Sequence, residues 1–519
     1  MAEKGLTPSV PPWRRILLPE EYRFWLVGLL ICTLGVVVRS IVGPLIIDDG
    51  YIYFRYALNA ASGNGLIYNQ GQPIFGVTSP TYTLILTLAA MLGLDLPRAS
   101  IFLGIALDLG SSLLLLAIGR KLGSNVTGWV CAVFFAVGPK AVIPGLSGME
   151  TSFFTLLITL CLACLVDQRF GQAILLAGLA GATRPEGLAL FGVTVGYLAF
   201  EERRFRLKDT LLGAAPILAW TAISRIAYQG WIPNSITAKA TVFPAYVSPF
   251  HDTLLIIRYL TNPFEFTSTT PELGWVNLVV GCLGAVGLVD LVRKSRGTRS
   301  FLVWAAIIGA AYAIINRSMF PWYLGPFFPL SSLVLACGLD RLWTAELFRT
   351  GLARSFPYGV GVLQGIVIVT LGATFWDASV SAGRVVRVDQ DHREAAYLEL
   401  GRWFDGRLPP DEPIASVEIG AIGYGYPGPI LDFTGLVSPE VLPFYAEPGF
   451  EFHYPHTVPA RAVEQLAPPV LVTYDTYVSE IRSTPWFQRA YPNEAIVVPL
   501  WQPYGTLMVF SAPGIPLPP

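Results

Sequence analysis

IIDDGYIYFRYALNAASGNGLIYNQGQPIFGVTSP, running from Ile46 to Pro80, decides how the rest of the chain is read. Two adjacent carboxylates, Asp48 and Asp49, stand where the first apolar span ends. Tyr51, Tyr53, Phe54 and Tyr56 follow, an aromatic density that suits a helix lying at a membrane interface. A loop rich in Gly, Asn and Pro closes the stretch. A carboxylate pair at a membrane boundary is costly to desolvate and calls for water, a cation or hydrogen-bond donors. Such a pair suits a general base acting on a hydroxyl, with one or both acids also available to a divalent cation. The structural alternative is that Asp49 caps a helix over Gly50–Ser62 that Gly63 ends.

Composition places this stretch in a membrane protein. The 519 residues are 53% hydrophobic and 14% charged, and mean hydropathy is +0.54. Soluble domains carry about 25% charged residues. The net charge of −1 gives no electrostatic basis for a nucleic-acid partner. Apolar segments fall near 24–44, 80–94, 101–119, 123–142, 151–166, 170–183, 186–200, 210–229, 274–293, 299–316, 323–342 and 356–376. Basic residues before the first span and in alternate loops (Arg120, Lys121, Arg203, Arg204, Arg293, Lys294) predict a cytoplasmic N-terminus. The Asp48–Asp49 loop and everything after Asp377 then lie outside. Opposite sides for the two termini require an odd number of crossings. With the short segment 80–94 re-entering, about eleven spans are expected. Residues 1–23 read as a retained cytoplasmic N-terminus rather than a cleaved signal.

All six cysteines fall in apolar stretches, so no disulfide framework is expected. The CxxC of Cys161 and Cys164 reads as small core residues. From residue 378 to 519 the composition turns polar. HREAAYLELGRWFDGRL reads as an amphipathic helix, and PIASVEIG, PILDF, PVLVTY, AIVVPLW and GTLMVFS as short strands of an α/β domain.

Further polar residues share the outer side in this topology. Glu150 opens an apolar run in SGMET. Arg184 and Glu186 flank Pro185 in GATRPEG, where a hairpin dipping from the outer side would line a cavity. Asn234 and Lys239 lie in GWIPNSITAKA, and Arg317, Trp322 and Tyr323 in RSMFPWYLGPFFP. Cations there suit either a lipid phosphate or headgroup anchoring. Arg55 suits a carboxylate or phosphate, or a snorkelling anchor. Asp108 is an intramembrane acid and the histidines show no metal-ligand spacing.

Taken together, the Ile46–Pro80 stretch, SGMETSFF, GLAGATRPEGLAL, GWIPNSITAK and EIGAIGYGYPGPILDFTGLVSPE resemble the GT-C glycosyltransferases. The bacterial terminal arabinofuranosyltransferase type is the nearest likeness. The resemblance implies a mainly α, polytopic GT-C membrane module over 24–377, with its first outer loop at 45–80, and an extracytoplasmic α/β domain over 378–519. It implies an inverting transfer, in the plasma or inner membrane, from a polyprenyl-phosphate-linked sugar to a glycan or glycolipid acceptor. Asp48 and Asp49 match the family's catalytic acids and are also the candidate ligands of a divalent cation, the one cofactor expected. The candidate substrate contacts are Arg55, Tyr68, Thr78, Glu150, Arg184, Glu186, Asn234, Lys239, Arg317 and Tyr323. Gly50 and PIFGVTSP depart from the Ala and the more acidic or polar phrase expected there, which leaves arabinofuranose open as the donor sugar. The competing readings are a glycolipid flippase, which would favour inverted repeats and mid-membrane ionisable groups, and a non-catalytic glycolipid-binding scaffold.

Overall fold

The computed structural model describes residues 19–242, 274–315, 321–344, 372, 393–453, 456–501 and 505–518. The expected span at 356–376 and candidate Arg317 lie outside the described residues.

The chain opens with α1 (Glu20–Val42), whose end Gly43 adopts a positive φ of 79° and turns the chain into α2 (Asp48–Ala61). Asp48 and Asp49 therefore occupy the first turn of α2, where acidic side chains favour the positive end of the helix dipole. Next come α3 (Pro80–Met91), α4 (Leu96–Leu122), α5 (Asn125–Val137), α6 (Pro139–Gly145), α7 (Thr151–Val166), α8 (Phe170–Thr183), α9 (Pro185–Phe200), α10 (Leu207–Ala227) and α11 (Asn234–Val242). Proline begins α3, α6 and α9, where its missing N–H costs nothing. Ser124 and Thr127 form a capping box that starts α5. After 273 come α12 (Gly274–Lys294), α13 (Arg296–Ile315) and α14 (Phe328–Thr344).

Among the described residues, four helices are long and apolar enough to cross a membrane, or five if α5 and α6, bent by 46°, count as one span. The expected eleven spans are not matched by that number. The reason is visible in α7, α8 and α9, which have 16, 14 and 16 residues. At 1.5 Å per residue they extend roughly 21–24 Å, short of a hydrocarbon core of about 30 Å.

The two ends of the bundle differ. At one end Arg120 pairs with Glu21 at 2.8 Å, Lys121 with Asp167, Lys294 with Asp290 at 2.6 Å and Arg341 with Asp290. These pairs join the ends of α1, α4, α7, α12 and α14. The opposite end carries α2, the start of α7, the α8–α9 break and α11. Between the ends, Arg39 of α1 meets Asp108 of α4 at 2.7 Å and also donates to the Ala136 carbonyl. Asp108 is thus one half of a buried ion pair.

The C-terminal part has a helix over 393–404, α15, and a five-stranded sheet. Its strands are β1 (Ile414–Ser416), β2 (Ile430–Asp432), β3 (Val470–Tyr474), β4 (Asn493–Trp501) and β5 (Gly505–Ser511), in the order β2-β1-β3-β5-β4. β1 runs parallel to β2 and β3, while β5 is antiparallel to β3 and β4. A short helix, α16 (Gly420–Gly425), links β1 to β2.

Two apolar cores result. One fills the helix bundle. The other is shared: Ile52, Tyr53, Phe54 and Tyr56 of α2 pack in the same cluster as Tyr397, Phe404, Ile422 and Phe433 of the sheet module. The stretch that opens with Asp48 thus belongs to the core of the module that covers it.

Candidate active site

The first turn of α2 sends its two acids in different directions. Asp48 is buried, and its Oδ2 and Oδ1 accept the backbone N–H groups of Gly420 and Ala421 at 2.7 and 2.8 Å. Burial and the nearby Glu418 carboxylate push its pKa well up, against the pull of those two N–H donors. The approach is so close that a Cβ on Gly420 would lie 1.8 Å from the Asp48 carbonyl oxygen. Asp49 instead lines a cavity of about 380 Å³.

That cavity gathers residues from six parts of the chain. Of the residues singled out from sequence, Asp49, Thr78, Glu150, Arg184, Glu186, Lys239 and Tyr323 line it. Arg184 is set by Pro185, which starts α9 and fixes the turn. Its guanidinium bonds Glu150 at 2.6 Å and Glu186 at 2.7 Å, all three side chains being buried. The Tyr312 hydroxyl donates to Glu186 as well. Lys239 donates to the Tyr323 hydroxyl at 3.2 Å. Burial pulls the Lys239 pKa down, but Tyr323 and the Asp49 carboxylate outweigh it and hold it above the usual value. Three carboxylates and two cations face this space, so its formal charge is negative. Arg184 bridges Glu150 and Glu186, and Lys239 sits beside Tyr323 under the influence of Asp49, so both cations line the space.

Other predicted contacts lie elsewhere. Arg55 is buried away from the cavity. It donates to the carbonyls of Tyr68, Gly423, Tyr426 and Gly428 at 2.9, 2.5, 2.8 and 2.7 Å, and stacks on Tyr68 at 4.3 Å. Tyr68 donates to the Ile419 carbonyl at 2.5 Å. Asn234 donates to the carbonyls of Gly435 and Leu436, both at 2.7 Å. All three side chains tie the membrane part to the sheet module.

Each Asp48 oxygen accepts one backbone N–H, while Asp49 lines the cavity. Among the described residues no group of three or more His, Cys, Asp or Glu is arranged to hold a metal ion.

Several lining residues carried no sequence signal for this role: Tyr312, inside an apolar helix; Ser235, one turn before Lys239 on α11; and Leu436, from the sheet module. The contribution of residues 200 positions apart was not legible from local spacing.

The fold matches solved membrane enzymes. ArnT from Cupriavidus metallidurans bound to undecaprenyl phosphate superposes with a TM-score of 0.57, covering 96% of this chain and 99% of that one at 15% identity. The chain shares the fold of that enzyme. A second GT-C structure, the Archaeoglobus fulgidus oligosaccharyltransferase AglB in complex with an inhibitory peptide and a dolichol-phosphate, gives 0.53 over 88% of this chain and 70% of that chain, at 12% identity. The same archaeal enzyme has also been solved with Zn and sulfate. In sequence, the chain is 26% identical over 381 residues to the terminal beta-(1->2)-arabinofuranosyltransferase of Mycobacterium tuberculosis. That match covers 64% of this chain and spans 58% of the relative's length. Residues 385–511 match a domain of unknown function, DUF8728.

Proposed function

We propose that this chain transfers a sugar from a polyprenyl-phosphate donor to a hydroxyl of a cell-envelope glycan or glycolipid, with inversion. The observation that carries the reading is the placement of Asp49 and Lys239 in the wall of one cavity, close enough for their charges to interact. Asp49 accepts the proton of the acceptor hydroxyl as its oxygen attacks the anomeric carbon. The bond from that carbon to the phosphate oxygen breaks, and the polyprenyl phosphate leaves with the electron pair. Lys239 stabilises the charge that develops on the leaving phosphate. Arg184, held between Glu150 and Glu186, shapes the pocket. Asp48 plays no part in proton transfer in this reading, and no metal step is invoked.

The likeness to the mycobacterial transferase favours arabinofuranose as the sugar. The division into a membrane module over 24–377 and an outer domain over 378–519, both in or on the outer face of the cell membrane, belongs to the same proposal. Purified protein in detergent should transfer sugar from a synthetic polyprenyl-phosphate donor in a panel containing arabinofuranose and mannose. Transfer by the wild type, with loss in Asp49→Asn, is the expected result. Full transfer by a folded Asp49→Asn protein would overturn the assignment.

A further inference from the structure

We propose that the C-terminal sheet module selects the substrate, because its loop 432–438 builds one wall of the transfer cavity with Leu436. This deepens the reading above and rests on it.

The loop leaves β2 at Asp432, whose carboxylate folds it back on itself. Asp432 accepts from the backbone N–H and hydroxyl of Thr434 at 2.7 and 2.6 Å, and from the Val437 N–H at 3.0 Å. Gly435 makes the turn at a φ of 75°, a region that L side chains rarely adopt. The loop is then pinned from the membrane side. Asn234, at the start of α11, donates both of its amide hydrogens to the carbonyls of Gly435 and Leu436. Gly76 admits the loop from the other side, since a Cβ there would come within 2.7 Å of the Val437 side chain and 2.8 Å of the Leu436 carbonyl. Neighbouring Val437 is buried, whereas Leu436 stays half-buried and faces the cavity shared with Asp49 and Lys239.

A side chain held this tightly cannot retreat from a bulkier ligand. It meets the occupant as a fixed apolar surface, continuous with Val77 and Ile236 and set across from the charged side chains of Asp49 and Lys239. Pentose and hexose donors differ by one hydroxymethyl-sized group, and a fixed apolar wall discriminates such a difference by about 10–200-fold. The loop therefore sets the size of the sugar end that fits. The module's remaining contacts through Asp48, Arg55 and Tyr68 keep that wall in register with α2.

The test measures kcat/KM for a pentose and a hexose polyprenyl-phosphate donor, in the full-length protein in detergent. Leu436→Ala and Leu436→Phe run beside wild type and Val437→Ala. The expected result is a shift of at least about 10-fold in the hexose-to-pentose ratio, toward hexose in L436A and toward pentose in L436F. Val437→Ala, which loosens the same loop without reaching the cavity, should leave the ratio unchanged even if it lowers the melting temperature. Ratios equal to wild type in both Leu436 variants, or a Val437→Ala shift as large as theirs, would overturn the proposal while leaving glycosyl transfer standing. Absence of wild-type transfer from every donor would overturn both.

Discussion

Asp48 and Asp49 are neighbours with opposite surroundings. One carboxylate is saturated by the N–H groups of Gly420 and Ala421, and the other faces an open cavity. Removing the first should act on stability. Asp48→Ala leaves two buried N–H groups without acceptors at about 1–3 kcal/mol each, so we expect a lower melting temperature in detergent by several degrees. An unchanged melting curve would contradict the capping role. Removing the cavity cation should act on rate. Lys239→Met should lower kcat by about 10²-fold or more, as loss of one charge-stabilising donor does elsewhere, with little change in melting temperature. Sequence alone did not separate the two acids, because adjacent residues on a helix differ by about 100° in direction and only the partner surfaces say which direction matters. Arg55 and Asn234 were placed among substrate contacts for a related reason. Their carbonyl partners lie about 370 and 200 residues away, and no local pattern announces a backbone acceptor.

Elements were legible where periodicity and breakers agree. All five strands of the sheet fall on the short apolar runs bounded by Gly, Pro and Asp, and α15 falls on the amphipathic run after His392. The short helices α7, α8 and α9 were visible as apolar runs of about these lengths, too short for a full span. Two buried groups in the sheet module also give it a pH signature. Burial raises Asp432 from 3.8 to about 6 and lowers His456 from 6.5 to about 3. The raised acid contributes stability that is fully present below about pH 4 and lost as pH rises through 6. The depressed histidine contributes stability that is present above pH 6.5 and lost as pH falls toward 3. Between pH 6 and 4 the two slopes oppose one another. Asp432→Asn removes one of them. The variant should therefore lose stability relative to wild type by about 2 kcal/mol as pH falls from 6 to 4. Parallel melting temperatures across that range would contradict the assignment.

At the scale of the whole molecule, the stretch that opens with Asp48 and the sheet module share one core, and the candidate site sits beneath their seam. The ion pairs of Arg120, Lys121, Lys294 and Arg341 mark the opposite end of the bundle. Arg120, Lys121 and Lys294 are among the basic residues on which the expected orientation rests. The predicted orientation follows: cysteines introduced at Glu480 and at Lys121 should label from opposite sides of sealed vesicles, Glu480 from outside. Labelling of both from one side would contradict it. What the sequence could not convey is that a module of unknown function over 385–511 reaches down to wall the cavity. Residues 49 and 436 line the same cavity, which exists only once both cores have formed.

The central claim is that Asp49, and not Asp48, takes the acceptor proton. Its most direct test is kcat for Asp49→Asn and Asp48→Asn, measured with the same polyprenyl-phosphate donor at a temperature where both variants remain folded. The account predicts a loss of about 10²–10⁴-fold in Asp49→Asn, the size of a lost general base, against a change of less than about 10-fold in Asp48→Asn. The reverse order, or equal losses at equal foldedness, would contradict it.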